Sequence, residues 1–326
     1  MTETRHVVYD TDTGIDDALA LLYLAGRPDV DLAAVTTVYG NTPIDAVVPN
    51  VGYVLELAGL PDVPVAVGAA GPIEGEARIA SHVHGVDGLG DVIADKKPPR
   101  NIVDRSAAQY LVDLARDRPG YYDLLPVGPL TNLGLALEIE PDLLTLYRSV
   151  VIMGGSGPFP PLGVVQMVDA NIHNDPEAAR RVMSAPRNRL VSVGVNVTAT
   201  TIVDESAVRR LHESGTTWGE FSAAVLESYM DFYRYAWGRR VSPAHDGLAA
   251  ALLLQPDWIT AGRTGPVNIT TDGFFVRAHL METADGGPVA WPAEPAPDTV
   301  VVTDVNREAF LADFVGILAA GGEPTR

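Results

Sequence analysis

Short apolar runs alternate with helical patterns along most of this chain, and no other feature restricts its possible folds so much. Residues 6–9 read as a buried strand, and 17–27 as a helix in which Ala18, Leu21, Leu22 and Ala25 recur at helical spacing. Further strands are expected at 32–38, 63–67, 124–127, 150–153 and 190–195, and helices at 51–58, 107–115, 130–139 and 176–183. The last helix opens with Asp175 as N-cap, Pro176 in its first position and Glu177 in its first turn. Residues 204–254 read as mostly helical. Short β segments at 267–271, 274–280 and 299–302 then precede a final helix at 307–318. The pattern predicts an α/β fold: an open, mostly parallel central sheet with right-handed crossovers and helices on both faces, formed by a single domain over 1–326. Ligands of such sheets bind beyond the carboxyl ends of the strands. The Gly- and Pro-rich stretches 68–90 and 154–163 are long enough to be expected to serve a site.

Composition removes several classes of function. Of 326 residues, 42 are Asp or Glu and 23 are Lys or Arg, a net charge of −19 that argues against nucleic acid or an anionic membrane as partner. Cysteine is absent, which excludes disulfides, thiolate metal sites and a thiol nucleophile. The amino terminus lacks the apolar core of a secretory signal, and no apolar run approaches the roughly 18 residues of a membrane span, so a cytoplasmic protein is expected.

The densest chemistry lies in Asp10-Thr11-Asp12-Thr13-Gly14-Ile15-Asp16-Asp17, four carboxylates between the first strand and the first helix. Asp16 or Asp17 capping the helix would explain one or two of them. Four anions in eight residues repel one another unless a cation neutralises them. Oxygen ligands select a hard ion, Ca²⁺ or Mg²⁺, and the number of carboxylates favours Ca²⁺. His245-Asp246 offers a second carboxylate and a group for proton transfer, although Asp246 would also serve as a helix cap and His245 as an ordinary buried histidine. Asn-containing turns at 39–42, 128–132 and 169–171 are ordinary turn chemistry, or else donors and acceptors for a polyhydroxylated ligand. Tyr229, Tyr233 and Trp237 share one helical face, suited either to the core or to stacking on a flat heterocycle. His82 and His84 in the Gly-rich loop are weak signals alone.

The Asp-x-Asp-x-Gly-x-Asp-Asp elbow is followed by Gly40-Asn41, Gly128-Pro129-Leu130-Thr131-Asn132, Met153-Gly154-Gly155, Asn171-Ile172, Asp175-Pro176-Glu177-Ala178-Ala179 and His245-Asp246. In order and spacing this series resembles the inosine-uridine preferring nucleoside hydrolases over essentially the whole chain. The resemblance implies a parallel α/β fold with one Ca²⁺ at the carboxyl edge of the sheet, hydrolysis of the N-glycosidic bond of a small-molecule nucleoside, and a homodimer or homotetramer. It implies Asp12, Asp17, Asp246 and the Val127 carbonyl as metal ligands, and Asp12 as base for the attacking water. Asp16, Asn41 and Asn171 would hold the ribose hydroxyls, with Met153 and Asp169 also on the substrate. Asp10 would support the loop, His245 would be the general acid for the leaving base, and Tyr229, Tyr233 and His84 would lie near that base.

The chain departs from the family pattern at several positions. Gly163, Asp169 and Ala170 stand where the family usually has Asn, Glu and an aromatic residue around the 5′ end of the ribose. Asn196 replaces a usual Asp, and Thr13 a common Pro. The shorter side chains predict a weaker demand for the 5′-hydroxyl, or acceptance of a non-standard ribosyl substrate. Two other readings start from the same residues: a ribosyl or nucleoside binder without turnover, and a haloacid dehalogenase-type phosphatase using Asp10 and Asp12 with Mg²⁺. The phosphatase needs a lysine at the site, and only Lys96 and Lys97 exist.

Overall fold

The backbone hydrogen bonds of the computed structural model, which describes residues 3–157, 169–272, 275–280 and 297–321, resolve into strands and helices in close alternation. Strand β1 (Arg5–Thr11) passes through α1 (Ile15–Ala25) into β2 (Val30–Thr37), and α2 (Ile44–Leu57) leads to β3 (Val65–Ala66). After α3 (Ser81–His84) and α4 (Ala107–Asp117) come β4 (Tyr122–Pro126), α5 (Thr131–Ile139), α6 (Leu143–Leu146) and β5 (Ser149–Met153). Then follow α7 (Ala170–Asn174), α8 (Pro176–Ser184), β6 (Leu190–Val193), α9 (Val195–Thr198) and β7 (Ile202–Val203). The carboxyl-terminal part comprises α10 (Glu205–Glu213), α11 (Thr217–Trp237), β8 (Ser242–Pro243), α12 (His245–Leu254), β9 (Ile259–Gly265), β10 (Val267–Asp272), β11 (Phe275–Leu280), β12 (Thr299–Val305) and α13 (Arg307–Ala320).

Eight strands form the central sheet in the order β3-β2-β1-β4-β5-β6-β12-β9. All neighbours are parallel except β12 and β9. Because successive side chains of a strand point to opposite faces, Val7 and Tyr9 of β1 enter one hydrophobic cluster and Val8 the other. The first cluster lies under α1, α11, α12 and α13, the second under α4, α5 and α8. Both faces of the sheet are thus covered, as a parallel sheet requires. All ten residues of α12 are buried. An apolar segment such as Leu248–Leu254 can afford that, whereas His245 and Asp246 at its start pay a desolvation cost that calls for a function.

The open parallel sheet matches the sequence expectation, with differences at the ends of elements. Helix α2 starts at Ile44 rather than 51 and keeps Pro49 inside it. The missing proline N–H removes only the bond to the first-turn carbonyl four residues earlier, so a residue that reads as a stop is carried through. Strand β3 has two residues instead of five: only Val65 and Ala66 pair with β2, while Val65 also bonds Asn101 and Val103 on its other side. The strand expected at 190–195 ends at Val193, where Gly194 caps α9. The edge strand β9, mostly solvent-exposed, carries no apolar alternation to announce it. Phe274, Gly163 and the rest of the 154–163 loop beyond 157 lie outside the described residues. Among the described residues no helix is long and apolar enough to cross a membrane.

At the edge of the sheet opposite the site, buried Asp123 takes Arg5 Nε at 2.8 Å, Ser149 Oγ at 2.7 Å and the guanidinium of Arg148. Burial opposes its ionisation, but these donors outweigh it and hold its carboxyl below the usual range. The stabilisation is therefore present above the unfolded carboxylate pKa near ~4 and disappears as pH falls through the lower folded value. Asp123→Asn should cost about 1–3 kcal/mol in urea unfolding at pH 7. The gap between variant and parent should close below about pH 4; a gap independent of pH would contradict the assignment.

Candidate active site

Parallel pairing brings the ends of β1, β2, β4 and β5 to one edge, and the chain leaves β1 there through a tight elbow. Gly14 caps α1. A Cβ at that position would stand 2.5 Å from Asn41 Nδ2 and 2.6 Å from His84 Nδ1, so the approach of these side chains requires glycine. Asp17 Oδ2 accepts the Gly14 N–H at 2.9 Å, which makes the capping reading correct for one oxygen of one of the four aspartates. The same oxygen takes Asn41 Nδ2 at 2.8 Å, and Oδ1 takes Thr11 Oγ1 at 2.6 Å. Asp12 Oδ2 accepts the backbone N–H of Asn41 at 2.7 Å. This contact is possible because residue 40 is glycine, whose Cβ would fall 2.0 Å from that oxygen and whose φ is +155°. Asp10 lies deeper: its Oδ1 receives Thr36 Oγ1 at 2.5 Å and Asn132 Nδ2 at 2.7 Å, tying the end of β1 to β2 and α5.

Helix α12 brings Asp246 to the elbow from a site more than two hundred residues away in sequence. One carboxylate oxygen from each of Asp16, Asp17 and Asp246 lies within 4.8 Å of the others, and Asp12 joins the group through Asp17. Burial, then the proximity of Asp17, raises the carboxyls of Asp12 and Asp16, the latter to about 8. Asp246 is raised by burial, then by Asp16 and Asp17. Asp10 is pushed up to about 6, mainly by burial. Among the described residues no Lys or Arg pairs with any of these five aspartates; the nearest basic group is His84 Nδ1, 3.8 Å from Asp16 Oδ1. Asp12 Oδ1 and Asp16 Oδ1 are buried without a hydrogen-bond partner. Asp10 Oδ2, deeper in the protein, is a third such carboxylate oxygen. Carboxylate oxygens that repel each other, with those of Asp12 and Asp16 orphaned near the pocket, are the surroundings in which a hard divalent cation fits.

Above the carboxylates lies a pocket of about 260 Å³. Asp16 and Asp246 reach its wall, together with Asn41, Val127, Met153 and Asn171 on the sheet side. His84, Tyr229, Tyr233 and His245 line the aromatic side. Asp10, Asp12 and Asp17 are not part of the wall but stand behind it. Asn171 Nδ2 bridges the Val127 and Met153 carbonyls at 2.6 and 3.0 Å, so it braces the ends of β4 and β5. A carbonyl has a second lone pair, which leaves Val127 able to ligate. Asp169 also reaches the pocket, but it is the N-cap of α7, and its oxygens accept N–H groups from Gly155 at 2.6 Å, Asn171 at 3.1 Å and Ile172 at 3.2 Å. Asn196 Nδ2 donates to the Val302 carbonyl at 2.9 Å, anchoring α9 to β12.

The aromatic wall is a contact chain. His84 packs on Tyr229 with ring centroids 5.1 Å apart, Tyr229 on Tyr233 at 5.0 Å, and Tyr233 on Trp237 at 4.7 Å. Tyr229 and Tyr233 are both buried and both line the pocket, whereas Trp237, on the same helical face, is not part of the lining. Burial pushes His84 down to about 3, helped by His245 and His82, and pushes His245 down to about 4. Burial thus disfavours the charged form of both. His82 and Ala170, both noted in the sequence, also line the pocket, and Ala80, Val83, Val195 and Phe232, which were not singled out from sequence, complete the lining. Phe232 is three residues beyond Tyr229, a spacing that would have placed it on the same side of α11.

The family pattern of the inosine-uridine preferring nucleoside hydrolases matches residues 7–312. An inosine-uridine preferring nucleoside hydrolase of Leishmania major is 33% identical over 324 residues, covering 98% of this chain and 99% of its own. A probable uridine nucleosidase 1 of Oryza sativa subsp. japonica is 33% identical over 289 residues, 88% of this chain and 87% of its own. A solved plant nucleoside hydrolase superposes with a TM-score of 0.88 at 30% identity, covering 97% of this chain and 99% of that one. Fold and site thus define a hydrolase built on an open parallel sheet. The chain belongs to the inosine-uridine preferring nucleoside hydrolase family, whose members hydrolyse ribonucleosides. The phosphatase reading fails with this: Asp10 is fully buried behind the pocket, and Lys96 is bound to Asp87.

A carboxyl raised to about 8 in the fold, as at Asp16, ionises in the unfolded chain near ~4. Chelated protein should therefore lose stability as pH rises from about 4 to 8, the direction opposite to that of Asp123. A divalent cation should reverse the loss, adding about 3 kcal/mol at a hundredfold excess over its Kd. Thermal unfolding from pH 5 to 8, with and without Ca²⁺, measures this; a cation effect absent at pH 8 would contradict the site.

Proposed function

We propose that this chain hydrolyses the N-glycosidic bond of ribonucleosides to ribose and free base at this pocket, with Ca²⁺ held by Asp12, Asp17, Asp246 and the Val127 carbonyl. The observation that carries the reading is the pair of orphaned carboxylate oxygens, on Asp12 and Asp16, at and behind the wall of an aromatic pocket. The resemblance puts Asp16 on the ribose, and its place in one carboxylate triple with Asp17 and Asp246 sets it beside the ion as well.

When bound, the cation supplies orientation and added acidity to a water molecule. Asp12, with its free Oδ1, accepts that water's proton. Asp16, Asn41 and Asn171 border the region that receives the sugar and hold its hydroxyls, which fixes the anomeric carbon in line for attack. Bond cleavage develops positive charge on the ribosyl group, and the surrounding carboxylates favour it. The base lies along His84, Tyr229 and Tyr233, whose planes suit a heterocycle. His245, neutral and hydrogen-bonded to Tyr233, acts with it on the leaving base. Met153 and Asp169 shape the ribose end. The names of the relatives bring both inosine and uridine within the substrate range to be tested. Cytoplasmic nucleoside salvage by a homodimer or homotetramer belongs to the same reading and is supported by the family resemblance.

A panel of purine and pyrimidine nucleosides, assayed for free ribose with and without chelator, tests the proposal. Turnover should require the divalent cation, and Asp12→Ala should lower kcat by at least about 10²-fold, the lower range for loss of a general base. Tight nucleoside binding in calorimetry without release of base would select a non-catalytic binder instead. Inosine and 5′-deoxyinosine should react within about tenfold of each other, equivalent to 1.4 kcal/mol. A far larger loss on removing the 5′-hydroxyl would reject the relaxed 5′ grip.

A further inference from the structure

Both ring nitrogens of His245 are engaged, each by a buried hydroxyl that can either give or receive the shared proton. Nδ1 lies 2.6 Å from Thr198 Oγ1 and Nε2 lies 2.9 Å from Tyr233 Oη. Thr198 is fully buried in α9, and Nδ1 is the one partner of its hydroxyl among the described residues. If Nδ1 carried the proton, the threonine hydroxyl hydrogen would be buried without an acceptor, at a cost of about 1–3 kcal/mol. If Thr198 donates instead, the proton displaced is that of the Tyr233 hydroxyl, and Tyr233, unlike Thr198, lines the pocket, where that proton has room to turn.

The segment that holds Thr198 is secured at both ends. The Val195 N–H donates to the Gly155 carbonyl at 2.8 Å, and residue 194 must be glycine because a Cβ there would fall 2.4 Å from that same carbonyl oxygen. At the other end Thr201 Oγ1 donates to the Thr198 carbonyl at 2.8 Å, while the Thr201 carbonyl accepts the N–H of Ala244, the residue before His245, at 3.0 Å. Threonine and imidazole are thus connected by the backbone as well as by the side-chain bond, and their alignment is built into the fold.

We propose that Thr198 is a positioning residue: by donating to Nδ1 it fixes the His245 proton on Nε2, the nitrogen that faces Tyr233 and the pocket. His245 then donates to Tyr233 Oη, and the tyrosine's own hydroxyl proton turns away from the imidazole. The two side chains present protons, rather than lone pairs, on the side where a departing base gains electron density. Thr198 never touches substrate. The inference rests on the hydrolytic reading for its kinetic consequence, but the tautomer itself is a property of the folded protein.

The test is long-range ¹H–¹⁵N NMR of metal-loaded, ¹⁵N-histidine-labelled protein, with His245 assigned by loss of its signal in His245→Gln. The expected spectrum shows Nδ1 unprotonated and Nε2 protonated; a proton on Nδ1 overturns the proposal without any variant of Thr198. Thr198→Val should shift population to the Nδ1–H form and lower kcat on inosine by about 10- to 100-fold with KM little changed, the range for losing an outer partner of an essential histidine. Thr198→Ser should restore both tautomer and rate, and an activated leaving group such as 4-nitrophenyl riboside should be largely insensitive. A tautomer shift with unchanged kcat, or equal losses on inosine and 4-nitrophenyl riboside, would contradict the positioning role. If no nucleoside is hydrolysed at all, the hydrolytic reading fails, while the wild-type spectrum still decides the tautomer.

Discussion

Mutual repulsion among buried carboxylates is the constraint around which this structure is arranged. Asp12, Asp16, Asp17 and Asp246 occupy one end of the sheet with no Lys or Arg pairing with them among the described residues. Neutral donors relieve part of the load: Thr11, Asn41 and the Gly14 N–H on Asp17, and the Asn41 N–H on Asp12. Hydrogen bonds of this kind contribute on the order of 1–3 kcal/mol each when one partner is charged. The desolvation of several like charges exceeds that, so the arrangement needs a cation or protons. The raised carboxyls of Asp12, Asp16 and Asp246 express the same imbalance in the cation-free protein.

The fold makes such a concentration possible. A parallel sheet brings the ends of β1, β2, β4 and β5 to one edge, and the wholly buried α12 delivers Asp246 and His245 there. Polar side chains behind the pocket then brace the backbone: Asn132 joins Asp10 to the Thr37 carbonyl, and Asn171 joins the ends of β4 and β5. Chemistry faces the cavity and structure stands behind it, with Asn41 and Asn171 on the border between the two.

The parallel architecture was legible because strands buried on both faces form short continuous apolar runs, and the helices between them show a 3.6-residue period. The elbow was legible because charge density of that kind has no packing explanation. Polar edge strand β9 and the length of α2 were not, since the first has no apolar alternation and the second depends on tertiary packing around Pro49. Within the site, residue types and spacing pointed to the aspartates and to His245. They could not show that Asp169 caps α7, that Asn171 bridges two carbonyls, or that Thr198 meets Nδ1, because each depends on where a side chain points after distant segments have packed.

The central claim is that the elbow and Asp246 together hold one divalent ion. Metal content after exhaustive dialysis against Ca²⁺-containing and then metal-free buffer, measured by inductively coupled plasma mass spectrometry on folded parent and Asp17→Asn protein, tests it most directly. The account predicts close to one Ca²⁺ per chain in the parent and a large loss of retained ion in the variant. Parent protein that keeps no ion, or a variant that keeps as much as the parent, would contradict it.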